Sequence, residues 1–227
     1  MDGTGQAACC SLFSAYLSMK RVFDIVVSLA GLMFLLPLLG LVALLIKLNS
    51  PGTVFFKQER MGKGFRPFLI YKFRTMVHDA PARGGSITVD KDPRITRVGH
   101  FLRKTKVDEL PQLLNVAKGD MTLVGPRPEV PHYVELFRKD YEEILKIRPG
   151  ITDLASLKYR DEAAILGQSE NPEEEYLRRI LPEKIQLAKD YMKQSSFFFD
   201  IILIFKTLLK VFKSKNTLVK GSIHGYN

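Results

Sequence analysis

The sequence predicts an α/β fold, mostly helical with a short β-hairpin, attached to a membrane. Three observations carry this. Val22 to Ile46 is an apolar run of membrane-active length. Two aromatic segments, Thr53–Phe56 and Phe68–Phe73, flank a Gly- and Arg-rich stretch in the pattern of a hairpin. Most of the chain beyond Phe73 alternates helical periodicity with proline and glycine turns. The expected layout is a disordered leader at 1–19, a membrane helix at 20–48, a basic domain at 49–194, an amphipathic interfacial helix at 195–213 and a polar tail at 214–227.

The leader is small, polar and unpatterned. The apolar run after it is too long for the core of a signal peptide, and no small-residue cleavage site follows. At 1.5 Å per residue its roughly 25 residues make about 37 Å of helix. Asp24 lies inside the run, and Pro37 near its middle predicts a kink or break. Lys20 and Arg21 precede the run and Lys47 follows it, so basic charge assigns no direction across a bilayer. Spanning and re-entrant helices both satisfy these facts.

Asn49-Ser50-Pro51-Gly52 is a turn, and Gln58 to Pro67 reads as the hairpin loop. Val77 to Asp92 is a loop. Pro93 to Lys104 can place Ile95, Val98, Phe101 and Leu102 on one helix face. Asp108 reads as the cap of a helix with Pro111 in its first turn. Met121 to Val124 is a short strand-like piece, and Glu129 to Ile147 reads as one amphipathic helix. Asn171-Pro172-Glu173 is a helix start within a more acidic, solvated layer from Asp161 to Met192. Phe197 to Lys213 sets its apolar residues on one half of the wheel and Lys206, Lys210 and Lys213 on the other, which suits a helix lying in a membrane interface.

The formal net charge is +10, and residues 51–160 hold 21 Lys+Arg against 13 Asp+Glu. Such a balance suits nucleic acid, anionic membranes or phosphate-bearing small molecules. Nucleic acid fits poorly, because the aromatics sit in apolar segments rather than among the basic residues as a stacking platform. No Walker-type loop or GxGxxG occurs. The only cysteines, Cys9 and Cys10, are adjacent, and the four histidines are scattered, so no zinc spacing exists.

Two constellations can carry chemistry. Asp108-Glu109 lies just after Arg103, Lys104 and Lys106. A carboxylate kept ionised by nearby cations can attack an electrophile or hold a metal ion, and acids at a helix start also serve simply to stabilise it. Gly125-Pro126-Arg127-Pro128 presents a guanidinium between two prolines, a stiff mount for a phosphate ligand or an ordinary surface turn. Arg148-Pro149-Gly150 repeats that pattern.

Taken in order, Tyr71-Lys72-Phe73-Arg74-Thr75-Met76, Pro93-Arg94-Ile95-Thr96-Arg97-Val98-Gly99, Asp108-Glu109-Leu110-Pro111-Gln112-Leu113, Lys118-Gly119-Asp120-Met121, Val124-Gly125-Pro126-Arg127-Pro128 and Arg148-Pro149-Gly150-Ile151-Thr152 closely resemble the bacterial sugar transferases. These are the small monotopic polyprenyl-phosphate glycosyl-1-phosphate transferases, and the resemblance covers roughly Lys20 to Lys213. It implies transfer of a sugar 1-phosphate from a UDP-sugar to undecaprenyl phosphate, with release of UMP, for capsule, O-antigen, exopolysaccharide or glycoprotein glycan synthesis. It implies Asp108 as a nucleophile forming a phosphosugar–enzyme intermediate. Mg²⁺ would sit at Asp108 and Glu109, with Glu109 serving metal binding or proton handling. The family's phosphate-binding arginine falls on Arg127 and its Tyr-Lys-Phe lysine on Lys72; the basic residues Arg74, Arg97 and Arg148 are further candidates for substrate phosphates. The resemblance further implies a re-entrant membrane helix broken at Pro37, a catalytic domain at the cytoplasmic face of a bacterial inner membrane, and downstream glycosyltransferases as partners.

Two departures stand out. Leu36 takes the place of a serine common before the membrane proline. Residues 153–162 replace a Gly-Trp-Ala-Gln-Val-Asn-Gly-Arg segment of many relatives, which leaves Asp153, Lys158, Tyr159 and Arg160 as candidates for nucleotide or sugar contacts. The reading of a different class is a catalytically silent, membrane-anchored scaffold of the same fold; the intact Asp108-Glu109 pair with Arg127 argues against it.

Overall fold

The computed structural model describes residues 3–83, 87–89 and 92–212. Helix α1 (Gly3–Asn49) takes in the apolar run and carries Pro37 inside it without an interruption in helical assignment. The stretch expected as a disordered leader continues α1 back to Gly3, a correction with a simple cause. Extending a formed helix adds one hydrogen bond for each residue fixed, and no proline stands in the way. Within that stretch the Tyr16 hydroxyl donates to Asp200 Oδ2 at 2.9 Å. The polar tail at 214–227 lies outside the described residues.

The hairpin is present but longer than expected. Strand β1 (Phe55–Met61) pairs antiparallel with β2 (Pro67–Phe73), from Phe55 opposite Phe73 to Met61 opposite Pro67. Residues expected in the loop therefore extend β1. Period-2 alternation explains the difference, because Arg60 and Lys72 share the face turned toward the site while Lys57 and Tyr71 share the other.

Helix α2 (Arg97–Thr105) is capped by Thr96, whose side chain accepts from the Gly99 amide. A Cβ on Gly99 would lie 2.0 Å from Thr75 O, so only glycine lets α2 start against the backbone after β2. Helix α3 (Gln112–Lys118) ends at Gly119 in the left-handed region, φ 100°. Strand β3 (Thr122–Val124) then pairs parallel with β4 (Gly150–Thr152), a pairing not visible in the local pattern. Gly125 and Gly150 approach so closely that a Cβ on Gly150 would sit 2.1 Å from Gly125 N. The two arginine-and-proline turns thus meet backbone to backbone, with Gly150 N donating to Pro126 O at 2.9 Å.

The segment expected as one helix after Glu129 is two, α4 (Pro131–Leu136) and α5 (Arg138–Ile144), because Phe137 leaves helical geometry at φ −117°, ψ 34°. Short helices α6 (Leu154–Lys158), α7 (Glu162–Leu166) and α8 (Pro172–Glu175) follow. A π-helical turn at Tyr176–Ile180 leads into α9 (Leu181–Gln194). Asn171 caps α8 as the sequence suggests, its side chain accepting from Glu174 N. The acidic segment is not a solvated layer, however. Tyr176, Ile180, Leu181, Ile185 and Ala188 join Tyr133, Val134, Tyr141 and Ile144 in the largest core cluster. Its charges face out while an i, i+4 stripe faces in, so net acidity concealed a core helix.

A second cluster, Ile70, Val116, Met121, Leu123, Val124, Tyr191 and Leu203, joins β2, α3, β3, α9 and α10 (Phe197–Phe212). Helix α10 buries Asp200 and Leu203 and leaves Phe198, Phe205, Leu208 and Leu209 exposed. Helix α1 touches the domain on both sides of Pro37. Asp24 accepts from Thr122 Oγ1 and from Leu123 N at 3.1 Å. Beyond the proline, Val42 and Ile46 pack with Phe73 and Leu102. Its other faces leave Met33, Phe34, Leu36, Leu41, Leu44 and Leu48 exposed.

Candidate active site

The site is built where α2 gives way to α3. Lys106 closes α2 in the left-handed region at φ 58°, uncommon for a residue with a Cβ. The chain turns there into a single 3₁₀ turn, Val107–Glu109. Asp108 sits inside this turn and is not a helix cap, in contrast to the sequence reading. Pro111 precedes α3 without a side-chain cap, and the turn satisfies its own amides through Glu109 N to Lys106 O and Leu110 N to Val107 O, both 3.2 Å. The Asp108 carboxylate is thereby left to face inward.

Glu109 Oε1 accepts from Lys72 Nζ at 3.0 Å and from Arg127 Nη2. Lys72 arrives on the inner face of β2, and Arg127 on the stiff turn after β3. The Arg127 amide donates to Asp153 Oδ2 at 3.1 Å, and its Nη1 donates to Ile151 O at 3.3 Å. Asp153 Oδ1 meanwhile caps α6 by accepting from Ser156 N at 2.6 Å. Asp153 therefore holds the arginine turn against α6.

Asp108 differs from Glu109 in its bonding. It is buried, and its Oδ1 has no hydrogen-bond partner among the described residues. Burial pushes its pKa up, the neighbouring Glu109 charge pushes it further, and Lys72, Lys106 and Arg103 pull it back, to about 6. Glu109 titrates well below the usual carboxylate range: burial raises it, but Arg127, Lys72 and Lys106 outweigh that. Burial lowers the Lys72 ammonium despite Glu109, while Glu109 raises Arg127. The pair thus divides into a carboxylate clamped in its ionised form and one balanced near neutrality with a free oxygen.

The remaining sequence candidates separate. Arg74 is a structural clamp, since its Nη1 donates to Pro51 O and its Nη2 to Ser50 O, both at 2.8 Å, closing the end of α1. Arg148 donates through Nε to Gly119 O at 2.9 Å, at the end of α3. Arg97 opens α2 and is exposed. Lys158 and Tyr159 both bond Glu183 on α9, and Arg160 donates to Lys210 O on α10, so these three tie helices together. Arg103 is the cation the sequence did not single out. Its Nε donates to Thr75 Oγ1 at 2.8 Å and its charge acts on Asp108. Nothing in local spacing separates it from Lys104.

Among the described residues no group of three His, Cys, Asp or Glu side chains could enclose a metal ion. The Asp108 carboxylate suits a hard cation that takes one or two carboxylates and completes its shell with water and substrate phosphates, as magnesium does. Glu109 fits that role less directly, because Oε1 is already shared by two cationic side chains.

The family model described as bacterial sugar transferase matches residues 15–214. The exopolysaccharide production protein PSS of Rhizobium leguminosarum bv. phaseoli is 42% identical over 203 residues, covering 85% of this chain and 94% of its own. An Aeromonas hydrophila protein named as a UDP-N-acetylgalactosamine-undecaprenyl-phosphate N-acetylgalactosaminephosphotransferase is 39% identical over 198 residues, covering 85% of this chain and 43% of its own. The Escherichia coli (strain K12) UDP-glucose:undecaprenyl-phosphate glucose-1-phosphate transferase is 36% identical over 201 residues, covering 87% of this chain and 41% of its own. The chain therefore spans less than half the length of two of these relatives and nearly all of the third.

Proposed function

The chain belongs to the bacterial sugar transferase family, and from that premise we propose that it transfers a sugar 1-phosphate from a UDP-sugar to undecaprenyl phosphate through an aspartyl intermediate. The observation that carries the reading is the buried, unpartnered Asp108 Oδ1 beside a Glu109 that Lys72 and Arg127 clamp. The named relatives act on UDP-sugars and undecaprenyl phosphate, which supports the substrate class.

In the first step Asp108 Oδ1 attacks the phosphorus bearing the sugar. An O–P bond forms, the bridging P–O bond to UMP breaks, and its electron pair leaves on UMP. In the second step an undecaprenyl phosphate oxygen attacks the same phosphorus and the Asp108–phosphorus bond breaks, which regenerates the carboxylate. Both substrates are anions approaching a carboxylate, so cations must offset the repulsion. Arg127 and Lys72 are mounted for that, each oriented by Glu109. A magnesium ion bound at Asp108, with Glu109 nearby, would supply further charge neutralisation. Glu109 stays ionised, which suits orientation of the cations better than proton carriage.

A re-entrant rather than spanning α1 is part of the same proposal. A spanning helix leaves its domain for about 20 residues. Here Gly31 lies close to Leu113, a Cβ on it falling 3.5 Å from Leu113 Cδ1, and Leu39 packs on the cluster of Val42, Ile46, Phe73 and Leu102. Contacts with the domain thus lie on both sides of Pro37, at Gly31 before it and in the cluster of Val42 and Ile46 with Phe73 and Leu102 after it. Basic flanks at both ends of the run suit a return to one face, which we take as the cytoplasmic face of the inner membrane, where soluble nucleotide sugars are found. The exposed apolar residues of α10 continue the membrane-facing surface.

UMP release measured with Mg²⁺, undecaprenyl phosphate and a panel of UDP-sugars tests the reaction. Release with at least one donor is expected, and silence with all would favour a scaffold. Cysteines placed before Val22 and after Lys47 should label from the same side, and opposite-side labelling would rule out re-entry.

A further inference from the structure

A second buried polar atom near the site is unsatisfied. Gln112 is 1% exposed, and its Nε2 has no hydrogen-bond partner among the described residues. It stands at the first position of α3, one helical turn after Asp108. The buried positions 108, 112 and 115 form a stripe turned toward β2. The end of that stripe is fixed, because Asn115 accepts from Tyr71 N at 3.0 Å and donates to Leu69 O at 2.8 Å. The residue next along β2, Lys72, bonds Glu109. Along this stripe Gln112 follows Asp108, whose Oδ1 is free, and precedes Asn115, which is tied to β2.

A buried amide without an acceptor costs its full desolvation, and folds rarely keep such a group unless another state supplies the partner. Asp108 Oδ1, an acceptor without a donor, does not supply it, since the two atoms leave each other unbonded. A ligand that presents an anionic oxygen beside the atom Asp108 attacks would satisfy the amide. A phosphoryl group has that shape, with its non-bridging oxygens flanking the phosphorus.

We propose that Gln112 is a catalytic residue whose Nε2 donates to a non-bridging oxygen of the phosphoryl group that Asp108 attacks. The proposal rests on the phosphosugar-transfer reading and adds a neutral donor to its cations. A neutral amide has a use that another cation would not serve. It binds the charge developing on phosphorus without pairing with Asp108 and lowering the reactivity of the attacking carboxylate.

The test uses the full chain in lipid nanodiscs with the donor that wild type accepts. Gln112→Met keeps the volume and removes the amide. The expected result is a fall in the single-turnover rate of UMP release of about 10²-fold, the usual scale for one transition-state donor. The thermal midpoint should hold or rise, because an unsatisfied buried donor has gone, and KM for the UDP-sugar should change less than about threefold. A purely structural glutamine would show the opposite pattern, with a lower midpoint and little loss of rate in the folded fraction. If Gln112→Met does not fold, Gln112→Leu, which also lacks a donor, is read in its place, with the same loss expected. A wild-type rate in either folded variant overturns the proposal while leaving the transfer reading intact. Absence of UMP release by wild type with every donor would remove both.

Discussion

Asp108 and Asp200 are both buried aspartates, and they are bonded in opposite ways. Asp200, on α10, accepts from Lys20 Nζ at 2.5 Å, from the Tyr191 hydroxyl at 2.7 Å and from the Tyr16 hydroxyl at 2.9 Å. Lys20 goes on to donate to Val124 O at 2.7 Å. One satisfied cluster thus ties α1, β3, α9 and α10 together, just before the turn that carries Arg127. Asp108 has cations nearby but, among the described residues, no partner for Oδ1. Burial alone therefore does not mark a reactive carboxylate. The saturated aspartate anchors helices, and the unsaturated one leaves an oxygen unbonded, as the proposed attack requires.

The largest expected effect that sharpens this contrast is on turnover. Asp108→Asn should reduce UMP release by roughly 10³-fold or more, as loss of a nucleophile does, and should abolish the radiolabelled phosphosugar adduct on the protein. Asp200→Asn, assayed below its unfolding transition, should keep turnover within a few-fold. Near-normal turnover in Asp108→Asn would break the comparison and the nucleophile assignment together.

Arg127→Ala comes next, with a loss of about 10²–10³-fold expected from removal of a fixed charge at a phosphoryl site. Arg127→Lys should recover only part of it, because lysine lacks the planar fork that reaches Glu109 through Nη2 while Nη1 reaches Ile151 O. Full recovery with lysine would show that charge alone, and not the planar fork, matters.

Stability should reverse the order of the two aspartates. Removing Asp200's charge leaves the half-buried Lys20 without its carboxylate, at a cost of about 1–3 kcal/mol. Asp108 has a folded pKa raised to about 6 from an ordinary 3.8. The fold thus favours its protonated form, and that contribution is full below about pH 4 and is lost as pH rises through about 6. At neutral pH the ionised Asp108 is a net burden, so Asp108→Asn should gain about 1–3 kcal/mol, read as a higher thermal midpoint. An unchanged midpoint at pH 7.5 would contradict the burial argument.

The smallest effect is the pH dependence of turnover. An attacking carboxylate must be ionised, so kcat/KM should rise with pH through a midpoint set by Asp108, near 6 without a cation at the site and lower with magnesium bound there. Lys72→Met removes a cation that lowers the Asp108 pKa and should shift that midpoint upward. A shift downward would mean that another group controls the profile.

Much of this molecule is legible in one dimension. The apolar run, the hairpin, the Asn171 cap and the amphipathic α10 rest on periodicity and turn chemistry, which are local properties. The ordered motifs pointed to Asp108, Glu109, Lys72 and Arg127, which the fold brings to one place. The acidic segment from Asp161 to Met192 misled because net charge averages over the inward stripe of Tyr176, Ile180 and Ile185. Arg74 and Arg148 looked equal to Arg127 because an arginine in a motif does not reveal which carbonyl its guanidinium meets.

The sequence by itself determined the class of the protein: a long apolar helix, a basic domain and an acid pair set in an order of short motifs. Periodicity, charge and turn residues act over a few positions, so they can be read without coordinates. Only the tertiary structure decided which charges are spent. Lys72, Asp108 and Arg127 lie on three separate elements, and Glu109 becomes a clamp only when β2 and the turn after β3 reach it from opposite sides. Saturation of a buried carboxylate depends on partners far away in sequence, and for that reason folding alone separates the anchor at Asp200 from the free oxygen at Asp108.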